Sequence, residues 1–144
     1  MISVVQLDPS LTVVGIATRA SNATPEEIGA LWQSFYANGI PERIPARLSG
    51  VVYSVYFDYE GDYTAPFSTL IGCAVPADAT LPNGLVQKTI PAGKYAVIDA
   101  SGEQPASLVA AWGAIWKTPL DRRYDADFER HDEDGTVAIY VGVR

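Results

Sequence analysis

The sequence predicts an α+β protein with a single domain, residues 1–144, made of two similar halves over about residues 1–76 and 84–144. Three observations predict it. Short β-branched and aromatic runs between turn residues indicate strands, and each half contains one run of apolar residues at helical spacing. The elements follow the same order in both halves, strand–strand–helix–strand–strand, and aromatic residues recur at fixed displacements.

The strands of the first half are marked by β-branched runs. Residues 4–18 form one such run, which Pro9 and its neighbours break into two strands. Residues 51–58 and 67–75 indicate two antiparallel strands joined by a polar turn. A stretch rich in Pro, Asp and Asn over residues 77–84 then links the halves.

A capping pattern predicts where the first helix begins. Thr24 can cap the free N–H groups, Pro25 fits the first helical position, and Glu27 can bond back to the cap. Asn38-Gly39 ends the helix. The apolar residues at helical spacing are Ile28, Leu31, Trp32, Phe35 and Tyr36. The second half repeats the order, with strands predicted over residues 85–90, 94–100, 125–131 and 136–143 and a helix over about residues 105–117.

The two halves also share particular residues. Pro25, Trp32 and Tyr36 correspond to Pro105, Trp112 and Trp116, each displaced by 80 positions. Tyr53, Phe57 and Asp58 correspond to Tyr124, Phe128 and Glu129 at a displacement of 71, and Ile71-Gly72 corresponds to Val141-Gly142 at 70. Such a duplication predicts two units that pair their sheets about a pseudo-twofold axis, with matched residues facing one another.

The matched acids Asp58 and Glu129 predict a binding cleft. Each follows a phenylalanine late in a strand, so a duplicated sheet could direct both carboxylates towards one central cleft lined by tyrosines and tryptophans. Strand alternation puts Tyr53 and Tyr59 on one face and Tyr56 on the other with Asp58. An aromatic box with acids at its base suits a flat or bulky cation.

Composition excludes several other classes of function. The formal net charge is −7 and the sequence pI is near 4.5, so the chain lacks the basic surface that direct nucleic-acid binding needs. No apolar run is long enough to cross a bilayer, and no signal peptide is evident, so a cytoplasmic protein is expected. The single Cys73 and single His131 do not form a zinc site, and no phosphate-binding loop is present, so neither a metal nor a cofactor is expected.

Several short motifs occur in a fixed order along the chain: YFDYEGDY, LIGCAV, IPAGKYAV, W-x-x-I-W, F-E-x-H and a closing IYVGV. Together they resemble the GyrI-like effector-binding superfamily, which includes the drug-sensing domains of AraC-type and MerR-type multidrug regulators. The similarity extends over nearly the whole chain and is strongest to the free-standing proteins carried on integron gene cassettes. It implies tandem pseudo-twofold β-α-β-β modules, a curved antiparallel sheet, two helices packed on one side, and a pocket for lipophilic, often cationic, molecules.

The resemblance makes Glu129 the main pocket acid, because Phe128-Glu129-Arg130-His131 fits the family pattern F-E-x-Y with histidine in place of tyrosine. Ala138 stands where some members carry a second glutamate, which leaves Asp58 as the partner acid. Trp32 and Trp112 fit either a core or a pocket wall, and Tyr36 and Trp116 lie one helical turn further on. The candidate ligand-binding residues are Glu129, Asp58, Tyr56, Trp32, Tyr36, Trp112, Trp116 and Phe67.

The expected function is binding of a lipophilic, cationic small molecule by a free-standing sensor or sequestering module. The resemblance leaves two alternatives. Some relatives hydrolyse cyclopropane-bearing toxins, although the alanine at position 138 argues against that chemistry here. One branch of the superfamily regulates or inhibits a protein. A DNA-binding or regulatory protein and a second copy of the chain are the candidate macromolecular partners; a membrane is not.

Overall fold

The computed structural model describes residues 2–62 and 64–144. The strands are β1 (Ser3–Leu7), β2 (Leu11–Ala20), β3 (Val52–Phe57), β4 (Phe67–Val75), β5 (Val86–Ile90), β6 (Gly93–Asp99), β7 (Arg122–His131) and β8 (Val137–Val143). The helices are α1 (Pro25–Ala37) and α2 (Ala106–Lys117), and a short 3₁₀ turn spans Pro41–Arg43. The predicted α+β class and the duplicated element order are confirmed.

All eight strands form one antiparallel sheet in the order β1-β6-β8-β7-β3-β4-β2-β5. The order is symmetric about the β7–β3 pair, where Val55 lies opposite Phe128. The outer strands are exchanged between the halves, because β1 pairs with β6 and β5 pairs with β2. Each half therefore supplies an edge strand to the other, and this ties the two units into one sheet.

The register of the sheet corrects one predicted match between the halves. Tyr56 pairs with Thr69, and Glu129 pairs with Ile139, which lies 70 positions after Thr69. Since β4 and β8 match at this displacement, the counterpart of Glu129 is Tyr56. The prediction that Asp58 is the counterpart of Glu129 is wrong.

A bulge in β7 is the physical reason for the altered match. Arg122 lies opposite Val143, but the next paired residue, Asp127, lies opposite Val141. Between these two pairs β7 contains more residues than β8. The residues of β7 after the bulge therefore pair with positions that a regular strand would have paired with earlier residues. The bulge occurs where β7 enters the sheet, close to the candidate site.

Four hydrophobic clusters form among the described residues, and one of them contains Tyr56 and Phe67. On the helix side, Phe35 of α1 packs with residues such as Ile71, and Ile115 of α2 packs with residues such as Ile139. A separate cluster joins the two halves through side chains that include Tyr95 and Phe128. The helices cover one face of the sheet, and the cluster with Tyr95 and Phe128 buries further side chains. Most residues of the central strands β3 and β4 are therefore buried.

The start of α1 differs from the predicted capping box. Thr24 occupies the N-cap position, but its side chain makes no capping hydrogen bond. Its hydroxyl lies 3.1 Å from the Ser21 hydroxyl instead, and the helix start is supported by a backbone bond from Glu27 N to Thr24 O at 3.2 Å. Between residues 2 and 144, position 63 aside, neither helix is long and apolar enough to cross a membrane.

Candidate functional site

A cavity of about 540 Å³ lies between the two helices and the sheet. Four pairs of equivalent residues line it, each pair displaced by 80 positions: Pro25 and Pro105, Ile28 and Leu108, Gly29 and Val109, and Trp32 and Trp112. The other lining residues are Asn22, Tyr56, Tyr59, Phe67, Trp116, Arg122 and Glu129. The duplication thus places the same helix positions on both walls, and β3 and β7 supply much of the floor.

Glu129 is the buried acid of this cavity. Its side chain is 1% exposed, and one carboxylate oxygen, Oε2, accepts two hydrogen bonds. The Tyr56 hydroxyl donates at 2.6 Å, and the Trp112 indole N–H donates at 2.7 Å. Both donors are neutral, so they fix the carboxylate without cancelling its charge.

The second carboxylate oxygen of Glu129 faces the only histidine in the sequence. Oε1 lies 3.0 Å from Nε2 of His131, whose side chain is 22% exposed. The imidazole also contacts Trp32 edge to face, with ring centroids 4.8 Å apart. Glu129 and His131 share a face of β7 because they are two residues apart on a strand.

A buried ion pair lies beside this acid. Asp127 is fully buried and accepts a 2.7 Å hydrogen bond from Arg122, a 2.8 Å bond from the backbone N–H of Gly142, and a bond from the Tyr59 hydroxyl. The Arg122 guanidinium carbon lies 4.3 Å from the centroid of the Tyr124 ring. Arg122 lines the cavity, but Asp127 balances its charge.

Burial keeps the two cavity phenols protonated. Burial first, and then the charge of Glu129, raises the pKa of Tyr56 well above its ordinary value. The same two causes, with Asp127 as the acid, raise the pKa of Tyr59. Both side chains therefore remain hydrogen-bond donors to the carboxylates at neutral pH.

The family of integron-associated effector-binding proteins matches residues 4–143. The chain belongs to this family. Among solved structures, an integron cassette protein from the mobile metagenome of Vibrio cholerae is 29% identical, with a TM-score of 0.82 and coverage of 99% of this chain and 95% of that one. No significant match is found among curated proteins.

Two more distant structures show the fold alone. SAV2435, solved with tetraphenylphosphonium bound, is 21% identical to this effector-binding family member, with a TM-score of 0.80 over 100% of this chain and 94% of that one. A hydrolase from Listeria innocua is 12% identical, with a TM-score of 0.53 over 99% of this chain and 91% of that one. The fold alone therefore does not define the function, which depends on the residues of the site.

Six of the eight predicted site residues of this family member line the cavity: Glu129, Tyr56, Trp32, Trp112, Trp116 and Phe67. Tyr36 does not. It lies outside, 60% exposed, and stacks on Trp32 with ring centroids 6.2 Å apart. Tyr36 lies one helical turn after Trp32, beyond the cavity, and its ring packs against the Trp32 indole.

Asp58 also lies outside the cavity, and its backbone explains why. Its φ of +52° ends the regular alternation of β3, and its side chain is exposed. Its carbonyl oxygen accepts a 2.9 Å hydrogen bond from Arg19. The same change of backbone direction turns Tyr59 to the cavity side, contrary to the predicted alternation, so Tyr56 and Tyr59 both line the cavity.

Sequence reasoning missed Arg122, Asp127 and Tyr59. A signal for Asp127 was available, because it lies two residues before Glu129 in a strand and therefore shares its face. Arg122 and Tyr59 reach the site through the bulge and the positive φ, and neither follows from a period of two. In residues 2–62 and 64–144, no group of three or more His, Cys, Asp and Glu side chains could hold a metal ion.

Proposed function

We propose that the cavity binds a lipophilic organic cation of drug-like size. The observation that carries the proposal is the carboxylate of Glu129, which is 1% exposed in an apolar, aromatic cavity and receives hydrogen bonds from two neutral donors. A buried charge without a cationic partner is unfavourable. A bound cation would supply that partner.

The other charges near the cavity leave its negative potential intact. Arg122 and Asp127 form a buried pair at 2.7 Å and cancel formally. With His131 neutral, the remaining charge in the group is that of Glu129. The field at the cavity floor therefore favours one positive charge next to this carboxylate and disfavours an anion of the same shape.

The walls suit an apolar, aromatic or bulky body. Tryptophan indoles at positions 32, 112 and 116 and the phenols of Tyr56 and Tyr59 surround the acid. Aromatic faces attract cations, and apolar contact area supplies most of the affinity for such ligands. A volume of about 540 Å³ falls in the range of small-molecule pockets.

The comparisons agree with a small-molecule role. The family is described as effector-binding, and SAV2435 has the fold and binds tetraphenylphosphonium. We infer that the present chain takes a ligand of the same chemical class and acts as a sensor or sequestering module. The buried Glu129 carboxylate supports this proposal more directly than the similarity to SAV2435 does.

A pair of ions that differ mainly in the sign of their charge tests the proposal. Tetraphenylphosphonium and tetraphenylborate have similar size and shape and opposite charge. All three tryptophans of the sequence line the cavity, so their fluorescence reports binding, and calorimetry gives the stoichiometry. The cation is expected to bind at least about tenfold more tightly than the anion. Equal affinities, or tighter binding of the borate, would overturn the proposal.

A further inference from the structure

The geometry points to His131 as a group that competes with the ligand for the Glu129 carboxylate. We propose that the protonated imidazole pairs with Glu129 and so weakens cation binding, which makes the site sensitive to pH. His131 acts on the ligand through its contact with the Glu129 carboxylate. The inference rests on the proposed function, since it concerns the charge that the ligand would meet.

The contacts of Glu129 divide between its two oxygens. Oε2 accepts the bonds from Tyr56 and Trp112, whereas Oε1 has His131 Nε2 as its partner at 3.0 Å. A neutral imidazole can donate one hydrogen bond in this position, and a protonated one forms an ion pair in the same geometry. Protonation therefore needs no rearrangement of the site.

The His131 side chain is more accessible to solvent than the Glu129 side chain. The histidine side chain is 22% exposed, and the glutamate side chain is 1% exposed. Histidine is the side chain that ordinarily changes charge between about pH 5 and 8. The charge on the imidazole next to the buried Glu129 carboxylate therefore depends on the pH of the solution.

The other groups around His131 leave Glu129 as its charged partner. On the helix side the imidazole meets the uncharged Trp32, and its neighbours across β3 and β8 are Val52 and Val137. The adjacent Arg130 and Asp132 pair with each other at 3.1 Å. Tyr56 shares the carboxylate as a phenol, Tyr36 lies behind Trp32, and Glu133 lies near Gly50 in the adjoining turn.

Linkage gives the sign of the effect. A cation next to Glu129 repels a proton on His131, so ligand binding favours the neutral imidazole and releases a proton where the histidine is partly charged. By reciprocity, protonation of His131 lowers the affinity for the cation. The affinity for the cation should therefore be greater when His131 is neutral than when it is protonated, and it should fall as the pH decreases.

Tetraphenylphosphonium tests the inference because its charge does not depend on pH. In the wild-type protein its affinity is expected to fall roughly five- to tenfold from pH 8 to pH 5. His131→Gln keeps a hydrogen-bond donor but carries no charge, so its affinity should change much less over this range. An equal fall in both proteins would assign the pH dependence to another group and overturn the inference. Absence of binding to the wild type at pH 8 would instead contradict the proposed function.

The single histidine also allows a test in the unmodified protein, which stands if the variant fails to fold. Its imidazole proton resonance can be followed by NMR against pH with and without saturating tetraphenylphosphonium. The ligand is expected to move the titration midpoint of this resonance to lower pH. A midpoint that the bound cation leaves unchanged would show that the imidazole and the ligand do not share Glu129, and would overturn the inference.

Discussion

Tyr56 and Glu129 occupy equivalent positions in the two halves and hydrogen-bond to each other, with the phenol oxygen 2.6 Å from Oε2. The pseudo-twofold axis passes between the strands that carry them, so the duplication brings the two positions together. One copy holds the donor and the other the acceptor. Among the described residues that line the cavity, Glu129 is the only one with a carboxylate, and this carboxylate marks where a cation would lie.

Replacing Glu129 by glutamine is expected to weaken cation binding strongly. The amide keeps the size of the side chain and one acceptor oxygen for Tyr56 and Trp112, but it removes the charge that a buried cation would meet. We expect tetraphenylphosphonium affinity to fall by roughly ten- to a hundredfold, or about 1–3 kcal/mol. Calorimetric titration above pH 7 measures this, and circular dichroism checks that the variant is folded.

Glu26→Gln is the matched control for that variant. It removes the same charge from an exposed position in the first turn of α1, and the residue does not line the cavity. Solvent and salt screen such a charge, so the affinity should change by less than about threefold. If both variants bind the cation equally well, Glu129 is not the charge that the ligand meets.

The fold could be predicted from the sequence because the patterns that indicate each helix and strand lie within that element and its turns. Alternation, helical spacing and turn residues set each element, and the repeated order implied a symmetric sheet. The exchange of β1 and β5 between the halves was not predicted. The residues of a strand do not specify which of several apolar neighbours it pairs with, because strand pairing also depends on tertiary context.

The lining of the cavity was predicted where residues follow regular geometry and missed where the backbone departs from it. The helix positions of Trp32 and Trp112 were correct because a displacement of 80 holds along both helices. Asp58 was misplaced because its positive φ ends the alternation of β3. The bulge before Asp127 likewise shifted the match between β3 and β7. Such local irregularities depend on tertiary packing more than on residue type.

Removing Arg122 is expected to destabilise the protein severely. Asp127 is fully buried, and Arg122→Met would leave its carboxylate with only neutral hydrogen-bond donors. Breaking a buried pair from one side costs about 3–5 kcal/mol, because the remaining charge is desolvated without its partner. Urea denaturation followed by circular dichroism measures the change in the free energy of unfolding.

Arg144→Met provides the comparison for the buried pair. Arg144 also lies 2.7 Å from a carboxylate, that of Asp121, but the two side chains are 64% and 70% exposed. Its loss should therefore cost about 0–1 kcal/mol. A similar cost for both arginine variants would mean that burial of the Arg122 pair has little influence on stability.

Tyr95 should make unfolding sensitive to alkaline pH. Burial raises the pKa of Tyr95 to about 12, and its hydroxyl donates a 2.7 Å hydrogen bond to the Pro91 carbonyl. Above about pH 10 the unfolded chain releases this proton before the folded one does, so stability is lost as the pH rises towards 12. Tyr95→Phe has no proton to lose.

The free energy of unfolding of the wild type should therefore fall more steeply between about pH 10 and 12 than that of Tyr95→Phe. At pH 7 the variant should be less stable by about 1 kcal/mol, the net value of one hydrogen bond. The gap should narrow as the pH rises. Urea titrations at pH 7, 10 and 11 test this, and parallel curves for the two proteins would contradict it.

Two glycine-to-alanine substitutions should change stability in opposite directions. A Cβ on Gly72 would lie 2.0 Å from the carbonyl oxygen of Val14 in the neighbouring strand, so the backbone would have to move. Overpacking of this kind costs roughly 1–3 kcal/mol. A Cβ on Gly113 would meet no atom within 4 Å, and alanine in a helix interior is favoured over glycine by about 0.5–1 kcal/mol. Thermal and urea unfolding should therefore show Gly72→Ala less stable and Gly113→Ala more stable than wild type; a neutral Gly72→Ala would disprove the close approach of β2 and β4.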